Sequence, residues 1–138
     1  MLHREVDFVF DGIVVVQKKD ISKHTTGTNR QRRYEKIMRA EGLWKSPGRL
    51  LNRLPIGEWK ELLEATSGKP VLIENEKSSS SWIGLVENCG EKVVTMRCFD
   101  SLGVYEDEAI RIPYRAITSI QFGDRYTELQ FKYIGQLS

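Results

Sequence analysis

The chain has 138 residues, of which 40% are hydrophobic and 29% charged, a balance typical of a globular domain with its own core. It has no run of about 18 apolar residues, which argues against a membrane-spanning helix. The first apolar stretch, DFVFDGIVVV, is broken by Asp7 and Asp11 and follows no basic segment, so we do not interpret it as a signal peptide and expect a cytoplasmic protein.

The net charge of +2 conceals an uneven distribution along the chain. Residues 1–60 contain 13 Lys and Arg against 7 Asp and Glu, a balance of +6, whereas residues 61–138 contain 8 against 12, a balance of −4. A basic half suits contact with phosphates, and an acidic half suits contact with a basic protein.

The first 70 residues are predicted to form one strand and two helices. The alternation in residues 5–16 predicts a strand, with Gly12 at a bulge or tight turn. Thr28 and Gln31 form a predicted capping box at the start of a helix that ends near Gly42. A second helix is expected over residues 57–66.

Each predicted helix has an apolar face. In the first helix this face carries Tyr34, Ile37 and Met38 at helical spacing. In the second it carries Trp59, Leu62 and Leu63.

The remainder of the chain reads as short strands separated by turns. The predicted strands cover residues 71–76, 82–88, 92–99, 105–112, 116–122 and 126–134. The last is predicted from the alternation of Leu129, Phe131 and Tyr133 with polar residues. Short antiparallel strands at this spacing predict a small barrel or sandwich, and with the helices an α+β protein.

The stretch SWIGLVENCGEKVVTMRCFDSLGVYEDEAIRIPYRAITSIQF resembles the small SH3-like and Sm-like barrel proteins of bacteria. The resemblance rests on the Gly84-x-Val86 strand, on a strand that ends at Asp100 before a turn with Gly103, and on the closing segment IPYRAITSI. It covers about half the chain and implies a strongly bent antiparallel barrel over residues 71–138, with a 3₁₀ turn at PYRAI. Residues 1–70 would then be a strand and two-helix extension within one compact unit.

The RNA-binding site of Sm-like proteins is not carried over to this chain. The turn FDSLG lacks the Asn that usually follows in that family, and YRAITSI lacks the Arg-Gly pair. The resemblance therefore implies a fold and leaves the function open.

The sequence does not predict a catalytic site, a metal site or a cofactor. His3, Glu5 and Asp7 share one face of a predicted strand, and a hydrolase that uses this trio is a remote alternative. His24 lies in a polar loop and is interpreted as a solvated side chain.

Cys89 and Cys98 are predicted to be reduced thiols. If the turn between their strands centres on Gly90 and Glu91, Cys98 lies opposite Ile83. The two thiols are then about 20 Å apart along the hairpin, too far for a disulfide. This fits a reducing compartment.

The helix at NRQRRYEKIMRA carries a basic stripe. Arg32, Lys36 and Arg39 lie opposite its apolar face, and Arg49 follows in the next loop. Such a stripe is usually a solvated helix surface. The alternative is that these four residues contact the phosphates of RNA or DNA.

The opposite feature is an acidic edge, Glu106, Asp107 and Glu108. Three consecutive acids either protect a sheet edge from pairing with another sheet or form a docking point for a basic partner. Trp82, which opens a strand, either closes the core or serves as an interface anchor with these acids.

These patterns favour a non-catalytic binding protein that acts through protein–protein interaction. A bacterial immunity protein of a toxin–antitoxin pair, in which the acidic edge neutralises a basic nuclease toxin, is the specific hypothesis. The alternative is an RNA- or DNA-binding small-barrel protein that uses the basic helix. The identity of the partner and the oligomeric state are left open.

Overall fold

A computed structural model describes residues 2–6, 9–23, 27–44 and 53–136, with the side chains of residues 2–10 left out of the description. The α+β class is confirmed. The strands are β1 (Leu2–Val6), β2 (Val9–Val16), β3 (Pro70–Asn75), β4 (Ser80–Cys89), β5 (Val93–Cys98), β6 (Ile110–Pro113) and β7 (Ser119–Phe122). The helices are α1 (Asn29–Ala40), α2 (Trp59–Ala65) and α3 (Arg125–Lys132). None of the described helices is long and apolar enough to cross a membrane.

The described strands form one antiparallel sheet in the order β1-β2-β7-β3-β4-β5-β6. Ile120 of β7 lies opposite Val15 of β2 on one side and opposite Ile73 of β3 on the other. Because this order has two ends, the hydrogen-bonded ladder of the described strands is open. The antiparallel sheet is thus confirmed, while closure into a barrel is not seen.

Strand β2 contains a bulge at the predicted glycine. The register with β1 shifts between His3↔Ile13 and Glu5↔Phe10, which leaves one extra residue on β2, and Gly12 there has a φ of 80°. The prediction of a bulge or tight turn at Gly12 is confirmed. The single strand expected over residues 5–16 is instead a hairpin of β1 and β2.

The core lies on the face of the sheet that α2 covers. Leu62 and Leu63 of α2 are fully buried and join a cluster that includes residues of β2, β3, β5, β6 and β7, while partly buried residues of β4 pack against it. Its other buried members are Ile13, Val15, Val71, Ile73, Val94, Met96, Cys98, Ile112, Ile117, Ile120 and Phe122. Strand β7 is buried along its whole length, so both of its faces are covered.

Helix α1 is the helix predicted from the capping box. The Thr28 hydroxyl accepts the N–H of Gln31, and the Gln31 side chain accepts the N–H of Thr28. Met38 is buried on the apolar face, and Gly42 adopts a φ of 68° just past the end of the helix.

The strand predicted over residues 126–134 is wrong, because this segment is helix α3. The Asp124 side chain accepts the N–H of Thr127 at 2.9 Å and starts a helix where alternation alone favoured a strand. The carboxylate of Asp11, beside the bulge in β2, also accepts the N–H of Arg125 at 2.6 Å. Two orphan N–H groups of the first helical turn are thereby satisfied.

The strand predicted over residues 105–112 is also wrong for most of its length. Strand β6 begins only at Ile110, and Tyr105 makes a single bridge to Phe99. The residues between Tyr105 and Ile110 form a loop, because the carbonyl oxygens of Glu106 and Asp107 accept hydrogen bonds from the Arg97 side chain. Residues 114–116 form the 3₁₀ turn that the resemblance implied, and β7 follows it.

Candidate functional site

The acidic edge is exposed, and its backbone is fixed by one arginine. Nη1 of Arg97 donates to the carbonyl oxygens of Asp107 at 2.9 Å and Glu106 at 3.4 Å, and its Nε donates to the Glu87 carboxylate at 2.9 Å. The N–H of Glu106 donates to the carbonyl of Cys98. Among the described residues, no cation lies within ion-pair distance of the Glu106, Asp107 or Glu108 carboxylates. A fixed backbone thus presents three solvated negative charges.

A tight loop between β5 and this edge displays apolar side chains. Oδ1 of Asp100 accepts the N–H groups of Leu102 at 2.9 Å and Val104 at 3.0 Å, which closes the loop at the predicted Asp100–Gly103 turn. With its polar groups paired internally, the loop holds Leu102 76% exposed and Val104 58% exposed. Tyr105 follows, also exposed, with its ring edge-on to Phe99.

Helix α3 extends this apolar surface. The N–H of Gly135, just past α3, donates to the carbonyl of Gly103, so the loop touches the end of the helix. Tyr126, Leu129 and Tyr133 are all exposed at i, i+3 and i+7, which places them on one face of α3. We call the six residues Leu102, Val104, Tyr105, Tyr126, Leu129 and Tyr133 the docking patch.

The docking patch is not predicted by the sequence patterns. Alternation places Leu129 and Tyr133 on the apolar face of a strand, Leu102 falls in the predicted turn that ends at Gly103, and Tyr105 begins the predicted strand 105–112. The available signal was the i, i+3, i+7 spacing of Tyr126, Leu129 and Tyr133 directly after an Asp able to cap a helix.

Trp82 lies half-buried against the core cluster, opposite Ile73 on β3. Its packing is that of a residue that closes the core. Contact of Trp82 with a partner stays a prediction.

The basic stripe is exposed, but one of its members is already partnered. Nε of Arg39 donates to the Glu35 carboxylate at 2.9 Å, and its guanidinium lies 4.6 Å from the centre of the Trp44 ring. Arg32 and Lys36 are exposed on the same helix. Arg49, the fourth predicted contact, lies outside the described residues.

The two cysteines are free thiols on well-separated rungs of the β4–β5 hairpin. Cys98 lies opposite Gly84 and not opposite Ile83, because the turn of the hairpin centres on Glu91 and Lys92 and a bulge between Val86 and Asn88 then shifts the register by one residue. Cys89 lies opposite Val94.

Neither thiol has the character of a nucleophile. Burial, and then the charge of Glu106, raises the pKa of Cys98 to about 11. Burial also raises the pKa of Cys89, against the opposing effect of a hydrogen bond with Tyr114. Both therefore stay protonated near neutral pH.

The described residues contain no group of three or more His, Cys, Asp and Glu placed to hold a metal ion. The side chains of His3 and Glu5, together with Asp7 and His24, lie outside the description, so the trio considered for a metal is not placed.

Comparison of the chain with protein-family models, with curated proteins and with solved structures finds no match.

Proposed function

We propose that this protein is a non-catalytic binding protein and that the docking patch, together with the acidic edge, is its interface with a basic protein. The observation that carries the proposal is the contact between the two surfaces: one loop, residues 100–108, displays the two most exposed large apolar side chains of the described residues and three carboxylates that pair with no described cation. Exposed apolar surface beside charge is typical of sites of protein–protein interaction.

The composition of the interface favours a particular kind of partner. Tyrosines and aliphatic side chains supply a desolvated centre, and tyrosine is common among residues that dominate binding energy. Carboxylates at the border attract a positively charged surface and raise its rate of association. A nuclease binds the phosphates of its substrate through a positively charged surface. We therefore propose that this protein is an immunity protein that neutralises a nuclease toxin. The two free thiols support a cytoplasmic location.

We also propose that β3 to β7 form an SH3-like or Sm-like barrel. The support is the order β7-β3-β4-β5-β6 and the 3₁₀ turn at residues 114–116 between β6 and β7. In this proposal the hairpin of β1 and β2 is added to the barrel at β7.

The interface is tested by charge reversal with a matched control. The partner to be tested is a nuclease domain from any toxin gene found adjacent to the gene of this protein, and its association is followed by surface plasmon resonance. The triple variant E106K/D107K/E108K is expected to associate about tenfold or more slowly at low salt, with the difference shrinking as salt rises. Leu102→Ser with Val104→Ser is expected to accelerate dissociation instead.

The control is E41K/E61K/E76K, which makes the same change of charge at three exposed sites outside the acidic edge. Equal association rates for the two triple variants would remove the acidic edge from the interface. Unchanged dissociation of the loop double variant would remove the docking patch.

The alternative function is binding of RNA or DNA by α1, which the exposed Arg32 and Lys36 favour. Affinity for an oligonucleotide would then fall steeply with salt, and R32A/K36A/R39A would weaken it. Fluorescence anisotropy at low salt measures this, and an absence of binding by the parent protein there excludes the alternative.

A further inference from the structure

Arg97 lies between two bulges of the sheet, one in each of the chain segments that flank β5. In β4 the register with β5 shifts between Val86 and Asn88, which leaves Glu87 as an extra residue. A bulge bends its strand and changes the direction of the side chains that it carries. The Glu87 carboxylate accepts a hydrogen bond from Nε of Arg97 at 2.9 Å, so this bulge is tied to the arginine.

The second bulge carries the acidic edge. The chain that returns beside β5 forms the pairs Met96↔Ile110 and Phe99↔Tyr105. Two residues lie between these pairs on the β5 side, whereas four residues, 106–109, lie between them on the returning chain. The two residues in excess displace the acidic edge from the ladder, and all three of its residues are exposed.

The guanidinium of Arg97 joins the two bulges through separate nitrogen atoms. While Nε donates to Glu87, Nη1 donates to the carbonyl oxygen of Asp107 at 2.9 Å and to that of Glu106 at 3.4 Å. The planar guanidinium offers its donors in a fixed fork, whereas a lysine ammonium is a compact charge on a flexible stem. One rigid group thus sets the position of the acidic edge relative to β4.

The charge of Arg97 and its hydrogen bonds have opposite effects on a basic partner. A cation at this place weakens the negative potential that attracts a positively charged protein. The hydrogen bonds, in contrast, hold three neighbouring carboxylates in one arrangement although these like charges repel one another. The effect of Arg97 on association is therefore different in sign for charge and for position, which makes the two roles separable.

We propose that Arg97 is a positioning residue of the interface: it holds the acidic edge in the conformation that a basic partner recognises, and Glu87 orients its guanidinium. This inference rests on the proposed function and extends it to a residue outside the docking patch and the acidic edge. A loop that already has its bound conformation loses less conformational entropy on binding than a mobile one.

Backbone order parameters from NMR relaxation test the positioning in the absence of any partner. In the parent protein, residues 106–108 are expected near 0.85, the value of a rigid backbone, and in Arg97→Gln and Arg97→Lys at about 0.6 or below. Arg111→Gln, which changes an exposed arginine of β6, is the control and should leave the loop rigid. A rigid loop in both Arg97 variants would overturn the inference.

Glu87→Ala provides the same test if the Arg97 variants fail to fold. Glu87 is exposed, so its replacement leaves the core intact while the guanidinium loses the carboxylate that orients it. Lower order parameters are expected at residues 106–108 in this variant as well. Values equal to those of the parent would overturn the proposal.

Association with the nuclease domain separates the two roles of Arg97. If Arg97 acts only through its charge, Arg97→Gln should associate faster than the parent, because a cation beside the acidic edge is lost. Positioning predicts association about threefold or more slowly at low salt for both Arg97→Gln and Arg97→Lys, since a smaller fraction of the molecules has the conformation that binds. Arg111→Gln removes the same charge and should associate as fast as the parent or faster.

The outcomes distinguish this inference from the proposed function. If the parent binds the nuclease domain and both Arg97 variants associate as fast as the parent or faster, the positioning role is overturned and the interface stands. If E106K/D107K/E108K associates as fast as its own control, the interface is overturned and the positioning role with it.

Discussion

At the scale of single residues, Gly84 allows β4 and β5 to lie against each other. A Cβ added there would lie 2.8 Å from both the carbonyl carbon of Arg97 and the Cα of Cys98, and closer still to the Arg97 oxygen. All of these are backbone atoms, so no side chain can turn away to make room. Gly84→Ala is therefore expected to lower the free energy of unfolding by about 1–3 kcal/mol in urea titration.

Gly57→Ala is the matched control for this substitution. A Cβ at Gly57 meets only the end of the Glu61 side chain, at an ordinary 3.8 Å. Its free energy of unfolding should remain within about 0.5 kcal/mol of the parent. Similar free energies of unfolding for the two alanine variants would contradict this, because they would show that β4 and β5 accommodate a Cβ at residue 84 without loss of stability.

Because of Cys98, the stability of the folded protein is expected to change with pH in the alkaline range. Folding raises the pKa of its thiol from 9.0 to about 11, mainly by burial, so the folded state holds the proton more tightly than the unfolded state. Its contribution is complete below the unfolded pKa of 9.0 and is lost as pH rises through about 11. Thermal melts of the parent between these values should show a falling Tm.

Cys98→Ala removes this titration, so its Tm should fall less over the same pH interval, whatever its Tm at neutral pH. Tyr114, whose pKa is raised from 10.0 to about 12 by burial, adds a loss of the same sign at higher pH in both proteins. Parallel pH profiles for the parent and the variant would contradict the role given to Cys98.

At the scale of elements, the stability of helix α3 depends on the contact between its N-cap residue Asp124 and Thr127 in its first turn. Oδ1 of the buried Asp124 accepts the Thr127 N–H, whereas Oδ2 of Asp124 and the Thr127 hydroxyl are buried and have no partner among the described residues. Asp124→Ala is expected to lower the free energy of unfolding by about 1–2 kcal/mol. Asp124→Asn keeps the acceptor and should restore most of that loss in the same denaturant titration. Equal losses for Ala and Asn would mean that the cap does not stabilise the helix.

The caps of α1 and α3 explain why one helix was predictable from the sequence and the other was not. Helix α1 was predictable because Thr28, Gln31 and Gly42 provide local start and stop signals that the backbone uses directly. Segment 126–134 satisfies two periods at once, since its apolar residues fit both alternation and helical spacing. The choice was decided by Asp124 and by Asp11, which is distant in sequence.

The candidate site was predictable only for its charge. Consecutive acids at 106–108 have to be exposed, whatever the fold, because burying them is too costly. The exposure of Leu102 and Val104 follows from the Asp100 turn and from the contact between Gly103 and Gly135, a contact across 32 residues that no local pattern indicates. Likewise the loop at 105–109 depends on the hydrogen bonds that Arg97 donates to the carbonyl oxygens of Glu106 and Asp107.

At the scale of the whole molecule, the core is assembled from both halves of the sequence. Ile13 and Val15 of β2 and Leu62 and Leu63 of α2 pack into the cluster formed by β3 to β7. A fragment of residues 70–138 would expose that surface and leave one edge of β7 unpaired. We expect this fragment to lack a cooperative thermal transition and to give poorly dispersed amide NMR signals.

A chain that begins at residue 9 is the comparison for this fragment. It lacks only β1, which lies at the end of the sheet, and keeps every member of the core cluster. It should unfold cooperatively, at a lower temperature than the parent. A cooperative transition in the 70–138 fragment would show that this half folds independently.

The position of β7 in the sheet determines when the sheet can be completed during synthesis of the chain. Residues 119–122 separate β2 from β3 in the sheet, yet the ribosome makes them about 100 residues after β2. At roughly 5–20 residues per second, β2 waits on the order of 5–20 seconds for its partner. During that interval the apolar edge of β2 that later pairs with β7, from Ile13 to Val16, has no partner strand in the nascent chain, and such an edge is of the kind that chaperones bind.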